Sequence, residues 1–130
     1  MTALPSLSEI EAAKALIRPL IRETPTYRWP LLEAGLGCEL WVKHENHTPV
    51  GAFKIRGGLV YMDELNRASP APRGVIAAST GNHGQSIAWA ARRNGLRAVI
   101  VVPEGNNQAK NAAMRALGAE LVEHGREFQE

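Results

Sequence analysis

The sequence predicts an α/β protein in which helices flank a parallel sheet. Three observations point there. Residues 74–78, 97–102 and 119–123 are short, largely apolar runs of strand length. Between them, residues 84–94 and 108–117 are alanine-rich stretches of helix length with apolar stripes. Each of these stretches is followed by a glycine, Gly95 and Gly118, where a left-handed residue caps a helix. Strands and helices alternating in this order make parallel neighbours joined by right-handed crossovers.

The earlier elements read as follows. Ser8 and Glu11 form a capping box that opens a helix carrying Ile10, Ala13, Ile17 and Leu20 on one stripe. Pro19 ends it near Arg18, because proline lacks the backbone donor and its ring clashes with the preceding turn. Residues 24–30 read as extended and proline-punctuated, and residues 39–44 alternate as a strand with Leu40 and Val42 on one face. A helix is predicted from Phe53 to about Asn66, followed by a loop holding Ser69, Pro70 and Pro72. After the third strand the run from Gly125 to Glu130 reads as the start of another helix, and the first helix and strand have no evident partners in the α/β unit. The chain therefore reads as the front part of something longer.

Bulk properties narrow the function. Hydrophobic residues make up 45% and charged residues 22% of the 130 positions, a globular balance. Fifteen basic and 13 acidic side chains, spread without blocks, give no electrostatic case for nucleic acid or an anionic membrane. No apolar run approaches a membrane span, and Glu9 and Glu11 interrupt what a secretion signal would need. The single cysteine, Cys38, excludes an intrachain disulfide and suits the cytoplasm. His44, Glu45, His47 and His83 could be considered as metal ligands. His44 and His47 lack the H-E-x-x-H spacing and have no adjacent cysteine, so no metal site is expected.

Two stretches carry chemistry. In VGAFKIRGG, Lys54 shares a helical row with Gly58, Tyr61 and Leu65, whereas Arg56, Asp63 and Arg67 form the charged row. Lys54 therefore sits off the solvated face, in a first turn whose dipole opposes a cation by about 0.3–1 kcal/mol. That is less than one pKa unit, so burial or an imine would have to make the amine a nucleophile. Gly57 and Gly58 each give up about 1 kcal/mol of helix propensity, which is explained if something approaches that face closely. Alone, Lys54 reads first as an ordinary surface lysine. In ASTGNHGQS, residues 78–86, a strand passes into a helix, and backbone amides with Ser79, Thr80, Asn82 and His83 form an anion-receiving turn. Alone, it reads equally as a plain glycine-containing turn.

Together, VGAFKIRGG preceded by KHENHTP, and STGNHGQ some twenty-five positions on, resemble the fold-type II pyridoxal-phosphate enzymes, tryptophan synthase β-like in fold. Within them the pattern is most similar to the threonine/serine dehydratase (threonine ammonia-lyase) branch. VVPEGNNQAKNAAMRALGAELVEHG continues the likeness, which runs from the first helix to the end and matches the N-terminal part of that family's longer chain. The resemblance implies pyridoxal 5'-phosphate as cofactor and an amino acid as substrate. Lys54 would form the Schiff base and remove the α-proton, Phe53 would pack on the pyridine ring, and Asn82 would bond the 3-hydroxyl. The turn Ser79, Thr80, Gly81, Asn82 and His83 would hold the substrate carboxylate. α,β-Elimination from a β-hydroxy amino acid would then give a 2-oxo acid and ammonia, and His83 after Gly-Asn is typical of dehydratases.

The resemblance also implies that residues 48–130 form a small α/β domain, truncated at its C-terminus, and that residues 1–47 belong to a larger domain. The family's phosphate loop and the group facing the pyridine nitrogen fall beyond Glu130, which implies little turnover by these residues alone. The full-length protein is expected to be a homo-oligomer. Three positions depart from the pattern. Ala52 replaces a common serine, Ser86 a common glycine, and Thr80 stands where racemase-like members carry the reprotonating serine. Two other readings use the same residues: a nucleotide-binding α/β domain, with Glu104 for a ribose but without G-x-G before Gly81 and Gly84, and a non-catalytic fragment or interaction module.

Overall fold

A computed structural model describes residues 4–127. Helix α1 (Leu7–Ile17) begins one frame earlier than predicted: Ser6 caps it, and Glu9 returns the bond to the Ser6 amide. The segment S-L-S-E-I-E holds two overlapping S-x-x-E frames. The earlier one wins because it adds a helical bond, Ile10 N–H to Ser6 C=O, while Ser8 Oγ turns to Ser6 Oγ. On the predicted stripe Ile17 is buried but Ile10 is half exposed.

Strands β1 (Thr26–Arg28) and β2 (Trp41–Lys43) pair antiparallel, Tyr27 opposite Val42. Between them lies α2 (Pro30–Leu36), which was not predicted; Pro30 starts it and Gly37 closes it. The first fifty residues thus have partners that the sequence did not reveal. β2 pairs with β1, and α1 packs on α3 (Lys54–Arg67), with Ile17 and Ile21 in one buried cluster with Ile55, Leu59 and Met62.

The second sheet holds β3 (Gly74–Ala78), β4 (Arg97–Val102) and β5 (Glu120–Glu123), all parallel, in that order. The crossovers are α4 (Asn82–Arg93) and α5 (Gln108–Ala116). Both helices end as predicted in glycines with φ of +69° and +97°. The amides of Leu96 and Ala119 then reach back to Ala91 and Met114, which satisfies carbonyls the helices leave open. Ala98, Ile100 and Val102 of the central strand are buried beneath α4, with Met114 fully enclosed. Burying a side chain of that size contributes about 1.5–3 kcal/mol. By the pairing register, Ile76, Val99, Val101 and Val122 share the opposite face, where Ile76 is 72% exposed. Within the described residues no helix begins at Gly125. The amides of His124 and Glu104 bond to Val102 and Gly125 carbonyls and keep the chain beside the sheet, and residues 128–130 lie outside the described part.

Candidate active site

Lys54 is the first residue of α3, and the chain before it is tied down twice. The buried Thr48 hydroxyl donates to the Ala52 carbonyl and accepts from the Ala52 amide, both at 2.9 Å. Two residues beyond Lys54, the Arg56 guanidinium grips Glu45 with bonds of 2.8 and 2.9 Å, and the Thr24 hydroxyl adds a third at 2.6 Å. Arg56 thus leaves the predicted solvated row, because its charge is spent on a partly buried carboxylate. Its hydrogen bonds, and then that of Thr24, hold the Glu45 carboxyl below the usual carboxylate range against the opposing effect of burial. Asp63 and Arg67 do stay on the surface, paired at 2.8 Å.

Contrary to the reading that put it off the solvated face, Lys54 is exposed, and it borders the cavity that its own row lines. Lys54, Gly58, Tyr61 and Leu65 all border a cavity of about 790 Å³ between α3 and the β3 edge. Its amine lies 5.7 Å from the centre of the Phe53 ring, and among the described residues no carboxylate pairs with it. The two glycines divide. A Cβ on Gly57 would meet open space, whereas one on Gly58 would collide with Ser86 of α4. The close approach predicted at this pair is therefore, at Gly58, that of a neighbouring helix. Ser86 is fully buried and its hydroxyl donates to the Lys54 carbonyl at 2.7 Å.

The second stretch begins where β3 ends. Ser79 is buried inside the turn: its amide extends the sheet to Val101, and its hydroxyl oxygen accepts from the amides of Gly81 and Gly84. Gly84 lets the start of α4 sit on the sheet, since a Cβ there would stand 2.5 Å from Met114 Sδ and 3.0 Å from Ile100. Asn82 and His83 form the exposed first turn of α4, whose amides have no partner within the helix. His83 borders the same cavity as Lys54 and Phe53; Thr80 and Asn82 are exposed beside it without lining it. Of the turn, His83 is the residue that opens on the cavity bordered by Lys54. The tie from Ser86 to Lys54 spans 32 positions, and only the departure from glycine at 86 marked that residue beforehand.

His44, considered as a metal ligand, lies instead against Tyr27 and Trp29 and accepts the Trp29 indole N–H at 3.4 Å. Among the described residues no group of three or more His, Cys, Asp or Glu could hold a metal ion, and no helix is long and apolar enough to cross a membrane.

Lys54 of α3 and His83 of α4 thus border one cleft beside the parallel sheet. The family model for pyridoxal-phosphate dependent enzymes matches residues 17–130, and the chain belongs to that family. It is 39% identical over 126 residues to the catabolic L-threonine dehydratase of Staphylococcus aureus, covering 96% of this chain and 36% of that protein. It is 40% identical over 119 residues to the serine racemase of Bos taurus, covering 90% and 36%. Among solved structures, the serine racemase from Dictyostelium discoideum superposes with a TM-score of 0.85 at 29% identity, over 98% of this chain and 41% of that one. A threonine deaminase superposes with a TM-score of 0.80 at 38% identity, over 96% of this chain and 39% of that one. The chain spans between about a fifth and just over a third of the length of the first curated relatives it matches.

Proposed function

We propose that the chain is the amino-terminal portion of a pyridoxal-phosphate-dependent ammonia-lyase that converts a β-hydroxy amino acid into a 2-oxo acid and ammonia. The observation that carries this reading is the shared cleft: the Lys54 amine, free of any carboxylate among the described residues, and the turn bearing His83 border one cavity. The donor set fits the cofactor. A primary amine suits its aldehyde, the exposed Phe53 ring beside that amine suits a flat aromatic face, and the open space over Gly57 leaves room. When bound, the cofactor supplies a ring that accepts the electron pair released at the substrate's α-carbon.

The chain's own residues do the rest. Lys54 would hold the cofactor and would take the substrate's α-proton on Nζ. The amides at the start of α4, with Thr80, Asn82 and His83, receive the substrate carboxylate, since a helix N-terminus favours an anion. Ser79 contributes from inside by holding the turn's shape. Asn82 would donate to the cofactor's ring oxygen, as the resemblance implies. The β-hydroxyl leaves as water, and one water returns when the resulting enamine hydrolyses to the 2-oxo acid and ammonia.

Threonine and serine are the substrates favoured by the names of the relatives. Residues 48–130 would form a small α/β domain and residues 1–47 part of a larger one, in a cytoplasmic homo-oligomer. The deciding experiment is borohydride reduction of the full-length protein with its cofactor, followed by peptide mapping. Label on Lys54 is the expected result; label on another lysine, or none, ends the assignment. Loss of 2-oxo acid formation in Lys54→Ala, with cofactor retained weakly or not at all, is the second check.

A further inference from the structure

We propose that Asn106 and Asn111 are positioning residues that set the aim of the carboxylate-receiving turn from α5, an inference that rests on the reading of residues 79–84 given above. Asn111 is fully buried, four positions into α5, where an apolar side chain would fill the space without leaving a polar atom behind. Instead its Oδ1 accepts from Asn106 Nδ2 at 2.6 Å, and its own Nδ2 has no partner among the described residues. The same Asn106 nitrogen donates at 3.3 Å to the Thr80 carbonyl. That carbonyl can only accept, so it fixes which end of the Asn106 amide faces it. The two hydrogens of one nitrogen are then shared between Thr80 and Asn111.

The consequence falls on a single peptide unit. The Thr80 carbonyl is held by Asn106, and the amide on the other side of that unit, Gly81 N–H, donates to Ser79 Oγ at 3.3 Å. The side chain of Lys110 lies along Gly81, its Cδ 3.0 Å from where a Cβ would stand. Both ends of the Thr80–Gly81 unit are therefore pinned just before α4 begins, which determines where the next amides, those of Asn82 and His83, point. The buried amide of Asn111 carries an unsatisfied donor because its acceptor is needed to hold Asn106. A group that orients the turn this way acts on substrate binding without touching substrate.

The test uses the full-length protein with Asn106→Asp, which keeps shape but removes the donor, and Asn111→Leu, which removes the relay and the orphaned donor together. In cofactor-free protein, amide exchange at Gly81 and Gly84, the turn amides bonded to Ser79, is expected to quicken about tenfold or more, while protection of Ile100 and Val102 stays unchanged. Asn111→Leu is expected to keep or raise Tm. In the loaded enzyme both variants are expected to raise KM for the β-hydroxy amino acid about tenfold, with kcat within about threefold. Unchanged exchange at the turn, or protection lost equally in β4, overturns the relay. So does an active enzyme whose KM does not move. A wild-type protein that shows no lyase activity, while its variants show the exchange change, supports the relay and defeats the proposed reaction instead.

Discussion

Gly58 and Ser86 form the tightest joint near the cleft. Ser86 cannot easily turn away from an added methyl, because its hydroxyl is already committed to the Lys54 carbonyl. Gly58→Ala is therefore expected to destabilise by about 2–3 kcal/mol, combining overpacking with strain on a buried hydrogen bond. Thermal denaturation measures it, and a Tm equal to wild type would contradict the packing. Glu45 gives the second prediction. Its pKa is depressed in the folded state, so its contribution is present above the ordinary value of 4.5 and fades as pH falls through the lower folded value. Glu33 behaves alike: Arg28 foremost, then the Leu40 amide, pulls it down to about 2, so its contribution is lost between pH 4.5 and about 2. Glu45→Gln should flatten acid unfolding below pH 4.5 and cost about 1–2 kcal/mol at neutral pH. A wild-type acid limb in that variant would count against the pair.

Among the elements, the two apolar strands 74–78 and 97–102 were legible to the residue, because loop residues and a glycine-closed helix bound them. The glycine caps were legible for the same local reason. Gly95→Ala meets no atom within 4 Å, so its expected cost of about 1–2 kcal/mol is purely that of a left-handed backbone. Gly95→Asn should cost less, and chemical denaturation of the pair distinguishes backbone cost from packing. Helix α2 was not legible: it has seven residues, and Leu31, Leu32 and Leu36 face outward, so no stripe announces it. The start of α1 was ambiguous between two capping frames. In the cleft, the row Lys54, Gly58, Tyr61 and Leu65 followed from helical spacing alone. The grip of Glu45 on Arg56 and of Ser86 on Lys54 did not, since contacts between residues 11 and 32 positions apart leave no local periodicity.

On the scale of the whole molecule, one face of the parallel sheet is covered and the other is not. Parallel sheets are ordinarily covered on both faces, yet Ile76 and Val122 remain open here, and Tyr27, Trp41, Leu31 and Leu36 add exposed apolar area elsewhere. The 130-residue chain produced by itself is expected to bind a hydrophobic dye and to self-associate. Ile76→Lys with Val122→Lys should reduce dye fluorescence without lowering Tm; an unchanged signal would place the apolar surface elsewhere. The joint between α3 and α4 has a different consequence. Because the lysine's own carbonyl is fastened to the helix that carries the turn, the segment 68–73 connecting α3 to β3 does not set the spacing across the cleft. Insertions and deletions at 68–71, ahead of Pro72 which borders the cavity, should be tolerated without retuning the chemistry, so length variation among descendants of this fold has a natural place to accumulate.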